Sequence, residues 1–161
     1  MKKALLFLLL VSSVFAQSYN FTELRYSDAI NRYTLLEGKI SFLKNGLNIQ
    51  YPKSSRELDY KDETLSYYEE EKEISLPQVQ VSQMIQYFEI LRLLHSGDES
   101  ELEGMFEVEN QADGKILKPL GAIKNFISNI VLKKEDKRLQ NIKLFLQNND
   151  TISITINDEI R

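Results

Sequence analysis

A single histidine, His95, stands in a chain of 161 residues that has no cysteine. This excludes thiolate nucleophiles, thiolate metal sites, Cys–His pairs and any metal centre built on several imidazoles. His95 falls at the end of an apolar periodic stretch with Asp98 nearby, the place of a surface or capping histidine. The 24 acidic residues are scattered, and no spacing marks one carboxylate as an acid and another as its base. Tyr67-Tyr68 ends a strand-like run, where paired aromatics pack. The residues therefore predict no catalytic centre, no metal and no cofactor.

The elements that carry these residues change period along the chain. Phe21 to Tyr26 is a short element of no clear type. From Leu35 the pattern is that of strands: Ile40, Phe42 and Lys44 share one face, and Asn45-Gly46 is a hairpin dipeptide. Leu47, Ile49 and Tyr51 then alternate until Pro52 breaks the ladder. Arg56–Tyr60 and Thr64–Tyr68 follow as strands around Lys61-Asp62-Glu63, and Glu69-Glu70-Glu71 forms a solvated turn. Between Val79 and His95, apolar residues fall at Val81, Met84, Ile85, Phe88, Leu91 and Leu94, the spacing of an amphipathic helix. Gly97 ends it, and Asp98 with Glu101 caps a second short helix through Met105. The remainder returns to strands at 107–110, 115–118, 126–133 and 141–147. The last is the alternation of Ile152, Ile154 and Ile156 with Thr151, Ser153 and Thr155.

Hairpins, a helical insertion and more hairpins predict an α+β fold with an antiparallel sheet. Eight to ten strands curl unless something holds them flat. A helix across such a sheet either completes a dry core or roofs an apolar cavity, and the pattern leaves both open.

The first residues form a further unit: Met1-Lys2-Lys3, an apolar run from Ala4 to Val11, then Ser12-Ser13-Val14-Phe15-Ala16. This predicts a secretory signal peptide, residues 1–16, cut before Gln17. The apolar run is too short to span a bilayer, which takes roughly 20 residues. Removing 16 from 161 leaves 145, one domain over 17–161. Two of the 20 basic residues lie in the leader, so 18 remain against 24 acidic ones. No long basic patch is present, which disfavours nucleic acid as a partner. The expectation is a soluble exported protein, in the periplasm of a bacterium with two membranes.

The order of motifs resembles a known family. It runs from Phe21-Thr22-Glu23 and Leu36-Glu37-Gly38-Lys39-Ile40 through Tyr51-Pro52 and Arg56-Glu57-Leu58 to Leu91-Arg92-Leu93-Leu94-His95-Ser96-Gly97-Asp98. Ile116-Leu117-Lys118-Pro119-Leu120, Ile127-Ser128-Asn129-Ile130-Val131-Leu132 and Asn149-Asp150-Thr151-Ile152 complete it. Together these resemble the outer-membrane lipoprotein carrier (LolA) family, and within it the shorter relatives found beside aryl polyene and related lipid-pigment genes. The resemblance spans roughly residues 21 to 156.

It implies a strongly curved sheet forming an unclosed β-barrel with a helical lid. It also implies a monomeric periplasmic carrier that sequesters acyl chains of a lipid, lipoprotein or lipid-like pigment. An inner-membrane exporter and an outer-membrane acceptor would be its partners. Lys44 matches a basic position linked to lid closure and delivery, although Asn45 replaces the proline that usually follows. The segment before Leu35 is also short for the family's N-terminal helix.

Burying one acyl chain of about 16 carbons is worth roughly 13 kcal/mol at ~0.8 per methylene. A releasing carrier must therefore offset that gain, either by leaving the chain partly exposed or by giving up the apolar packing of its lid on opening. Candidate lipid-binding positions are Phe42, Leu47, Ile49, Tyr51 and Tyr67 on the sheet, and Val81, Met84, Ile85, Phe88 and Leu91 on the helix. Each is equally an ordinary core position. Phe88→Glu is expected to abolish capture without changing the far-UV spectrum. The alternative is a periplasmic chaperone-like or interaction module with a dry core, pairing with exposed strands. An outer-membrane barrel fits less well, since it would lack the central helix.

Overall fold

The first and last strands of the described residues meet at the middle of the sheet. The structure is a computed structural model that describes residues 16–136 and 138–160. The expected leader lies outside these residues apart from Ala16. The first arm is a series of hairpins: β1 (Gln17–Ser27), β2 (Arg32–Leu43), β3 (Gly46–Tyr51), β4 (Arg56–Lys61), β5 (Thr64–Glu69) and β6 (Lys72–Glu73). The second runs inwards from the opposite edge: β7 (Phe106–Gln111), β8 (Gly114–Pro119), β9 (Ile127–Glu135), β10 (Arg138–Leu146) and β11 (Thr151–Glu159). β11 pairs antiparallel with β1, giving the order β6-β5-β4-β3-β2-β1-β11-β10-β9-β8-β7. Helices α1 (Gln78–Ser96) and α2 (Glu99–Met105) join the two edges. The fold is α+β, as expected, with eleven strands among the described residues rather than eight to ten.

The segment 21–26, which carries no clear signal in the sequence, is the core of the central strand. Its inward face holds Tyr19, Phe21, Glu23 and Arg25, and the two charges break the apolar alternation by which strands are recognised. Paired with β2 across Phe21↔Gly38 and Leu24↔Leu35, this segment takes no helical form.

The sheet is strongly curved and not closed. β5 and β9 stand seven strand spacings apart in the order, which is roughly 34 Å on a flat sheet at about 4.8 Å per strand. Tyr67 of β5 and Ile127 of β9 nonetheless line one cavity. The free edges differ in their protection. β6 has two residues, both charged and exposed, a short edge that resists pairing. β7 packs against α2.

Turn chemistry follows the sequence with one shift. Asp62-Glu63 and Glu70-Glu71 are two-residue turns with positive φ at both positions, between 48° and 65°, the geometry that suits the twist of a hairpin. The β2–β3 turn is Lys44-Asn45 rather than Asn45-Gly46. Gly46 already pairs in β3, where a Cβ would lie 2.0 Å from the Tyr60 carbonyl oxygen.

α1 has no internal glycine or proline. It ends where Gly97 adopts φ 67° and donates its N–H to the Leu93 carbonyl at 3.1 Å. The Asp98 carboxylate then accepts from the Glu101 N–H at 3.1 Å, opening α2 as the capping pattern predicts. Burial changes along α1. Phe88, Ile90, Leu91, Leu93 and Leu94 of its second half are buried, while Val81, Met84 and Ile85 in the first half are only half-buried. Ile90 and Leu93 fall outside the predicted stripe because the curved sheet wraps this end of the helix.

Candidate functional site

The first half of α1 roofs a cavity of about 640 Å³ between the helix and the sheet. Leu58 and Tyr67 form one wall, Ile127, Leu144 and Ile152 the other, with Met84 and Phe88 above. Exposed amides of Gln80, Gln83, Asn125, Gln147 and Asn148 rim it. The volume falls within the ~300–1,000 Å³ of small-ligand clefts, which are likewise mostly apolar with a few fixed polar groups.

Those polar groups cluster where β1, β3 and α1 meet. Among the described residues Glu23 is the one charged side chain of the buried core, 1% exposed. Its Oε1 is paired with Arg25 Nε, and its Oε2 accepts from the Tyr51 hydroxyl at 3.0 Å. Burial and the neighbouring Glu23 charge push the Tyr51 hydroxyl far above the ordinary tyrosine range. Burial penalises the Arg25 cation, but Glu23 more than offsets that and holds it protonated. Tyr87 faces the cluster from α1, and burial, then Glu23, raise its pKa well above normal. The Arg56 guanidinium lies over the Tyr51 ring, 5.3 Å from its centroid, and also lines the cavity.

Gly38 permits this convergence. It sits in β2 between Phe21 and Tyr51, whose rings meet edge to face at 5.7 Å. A Cβ there would lie 2.7 Å from Phe21 Cε1 and 2.4 Å from the Gln50 carbonyl oxygen.

Of the ten sequence-predicted positions, Tyr51, Tyr67, Met84 and Phe88 line the cavity. Phe42, Leu47, Ile49 and Leu91 are buried in the packed core beyond it. Val81 lies with Tyr67 on a smaller adjoining recess, and Ile85 faces an open cleft with Glu89 and Arg92. Lys44 is exposed at its hairpin turn. His95 is neither a free surface group nor a cap. Its ring stacks on Phe42 at 3.7 Å, and Nε2 meets Gln17 Oε1 at 2.9 Å. Burial lowers its pKa.

Sequence reasoning missed Glu23, Arg25, Arg56 and Tyr87. The signal for the first two was the period of two from Phe21. It sets two charges on the same face as an apolar residue, in a strand long enough to be central.

The chain matches no family model, and no curated protein matches it. Among solved structures it is similar to a LolA superfamily protein, NE2245 from Nitrosomonas europaea. The two are 9% identical over 91% of this chain and 86% of that one, with a TM-score of 0.42.

Proposed function

We propose that residues 17–161 form a single domain that carries an acylated ligand between α1 and the sheet and hands it on, without catalysis. The observation that carries this reading is the cavity of about 640 Å³, lined largely by apolar side chains under a half-buried helix. The sequence resemblance to lipoprotein carriers points the same way. The first half of α1 acts as the lid: it covers the sheet when empty and the chain when loaded. The apolar packing it gives up on opening offsets the gain from burying methylenes. The leader-like first 16 residues support export to the periplasm, with an exporter at the inner membrane and an acceptor at the outer.

The test is native mass spectrometry of the protein recovered after export, mixed with fatty acids, phospholipids and a lipopeptide. A stoichiometric adduct selective for chain length or head group is expected, on a mass beginning at Gln17. A bare protein mass across the panel overturns the carrier reading.

One observation favours a second reading, a module that captures extended chains. β2 pairs with β3 only over residues 39–43, and Lys53 of the turn after β3 lies against Glu37, so among the described residues the exposed 32–35 segment has β1 on one side and no strand on the other. Strand addition there would use backbone hydrogen bonds. Capture of an unfolded client, unaffected by fatty acids, would support it.

A further inference from the structure

The apolar cavity contains hydrogen-bond donors that the described residues do not use. Arg25 offers five N–H donors. Its Nε is held by Glu23, while among the described residues its terminal nitrogens make no further hydrogen bond. The side chain is 48% exposed and lines the cavity. Across from it, the Tyr87 hydroxyl is buried and, among the described residues, has no hydrogen-bond partner. Native structures leave few buried polar groups unpaired. Here one sits on the helix that roofs a ligand-sized space.

We propose that Arg25 and Tyr87 receive the oxyanion head, a carboxylate or a phosphate, of a single-chain acyl lipid lying between α1 and the sheet. This rests on the carrier reading above and adds the chemistry of the head group.

Three features select that ligand. Both oxygens of Glu23 are engaged, Oε1 by Arg25 and Oε2 by Tyr51, so the cluster has donors left to give. Glu23 and Tyr51 are positioning residues: they aim the guanidinium, whose planar fork matches a carboxylate or phosphate. A cationic head would meet Arg25, and the Tyr51 ring face on which it would stack is covered by Arg56. Arg56, whose Nε donates to Ser54 Oγ at 2.8 Å, lines the same cavity and adds a second positive charge beside Arg25. The volume is that of one small ligand, which favours one chain over several.

The test compares dodecanoate, dodecyl phosphate, dodecanol and dodecyltrimethylammonium by calorimetry, each below its micelle concentration. Dodecanoate and dodecyl phosphate are expected to bind at least about tenfold more tightly than the other two. Whichever of the pair binds better identifies the source of the oxyanion. Tyr87→Phe removes a hydroxyl that has no partner among the described residues, so thermal stability stays at or above that of the parent, while the anion preference falls at least about threefold. Arg25→Lys keeps a charge beside Glu23 but loses the fork, and also reduces the preference. Dodecanol binding as tightly as dodecanoate overturns the oxyanion site and leaves the carrier standing. An undiminished preference in Tyr87→Phe overturns it too, and no binding by any of the four overturns both.

Discussion

The Tyr51 hydroxyl reaches Glu23 Oε2 at 3.0 Å from the second strand over, β3 to β1, across the bare backbone of Gly38. With Arg25 on the other oxygen, a nearly fully buried carboxylate is held by two partners. Removing one is costly, because the charge stays behind. Arg25→Met is expected to destabilise by about 3 kcal/mol, the low end for a broken buried pair because Arg25 itself is half exposed. Tyr51→Phe should cost about 1.5–3 kcal/mol. The double variant Glu23→Leu/Arg25→Met should lie closer to the parent than Arg25→Met alone. Urea denaturation at neutral pH measures all three.

Gly38 itself is a second test point. Gly38→Ala forces either the Phe21 ring or the β3 backbone to shift, and overpacking of this kind costs about 1–3 kcal/mol. A variant as stable as the parent, by the same denaturation, would show that the strands give way freely.

Phe88 and Met84 both line the cavity from one helix but differ in burial. Phe88 is 1% exposed, so the charge in Phe88→Glu would unfold the second half of α1 rather than leave the far-UV spectrum unchanged. Phe88→Ala is expected to cost about 3–5 kcal/mol. Met84 is half-buried and lines the cavity. Met84→Glu should keep the fold, with little change in Tm, and weaken acyl binding at least about tenfold. Paired melting curves and ligand titrations decide the matter.

His95 gives the fold a pH dependence. Burial against Phe42 and Tyr19 lowers its pKa from 6.5, favouring the neutral ring in the folded state. Below that value the unfolded chain binds more protons, so stability is complete above about pH 6.5 and falls as the pH drops through the lowered folded value. His95→Phe should flatten the fall in Tm between about pH 7.5 and 5.5. An identical fall in both proteins would assign it to other groups.

Local chemistry made most of the fold legible. The Asp98 cap, the Gly97 stop and the period of α1 each depend on a few neighbouring residues, and the structure has them where the sequence puts them. The turns expected at 61–63 and 69–71 form within those spans, at 62–63 and 70–71. β1 carries no clear signal because Glu23 and Arg25 occupy inward positions, which breaks the apolar alternation of a strand.

By itself, then, the sequence determined the α+β order of hairpins, helices and hairpins, since capping, turn geometry and periodicity act over a few residues. Only the tertiary structure decided that β1 pairs with β11 and curls the sheet. That curvature buries Phe42, Leu47 and Ile49 in packed core while Tyr51, Tyr67 and Met84 face a cavity, although all share the same apolar patterning. It also brings Glu23, Arg25, Tyr51 and Tyr87 together from three separate elements. Such convergence is a property of closure in space, and no periodicity along a chain encodes it.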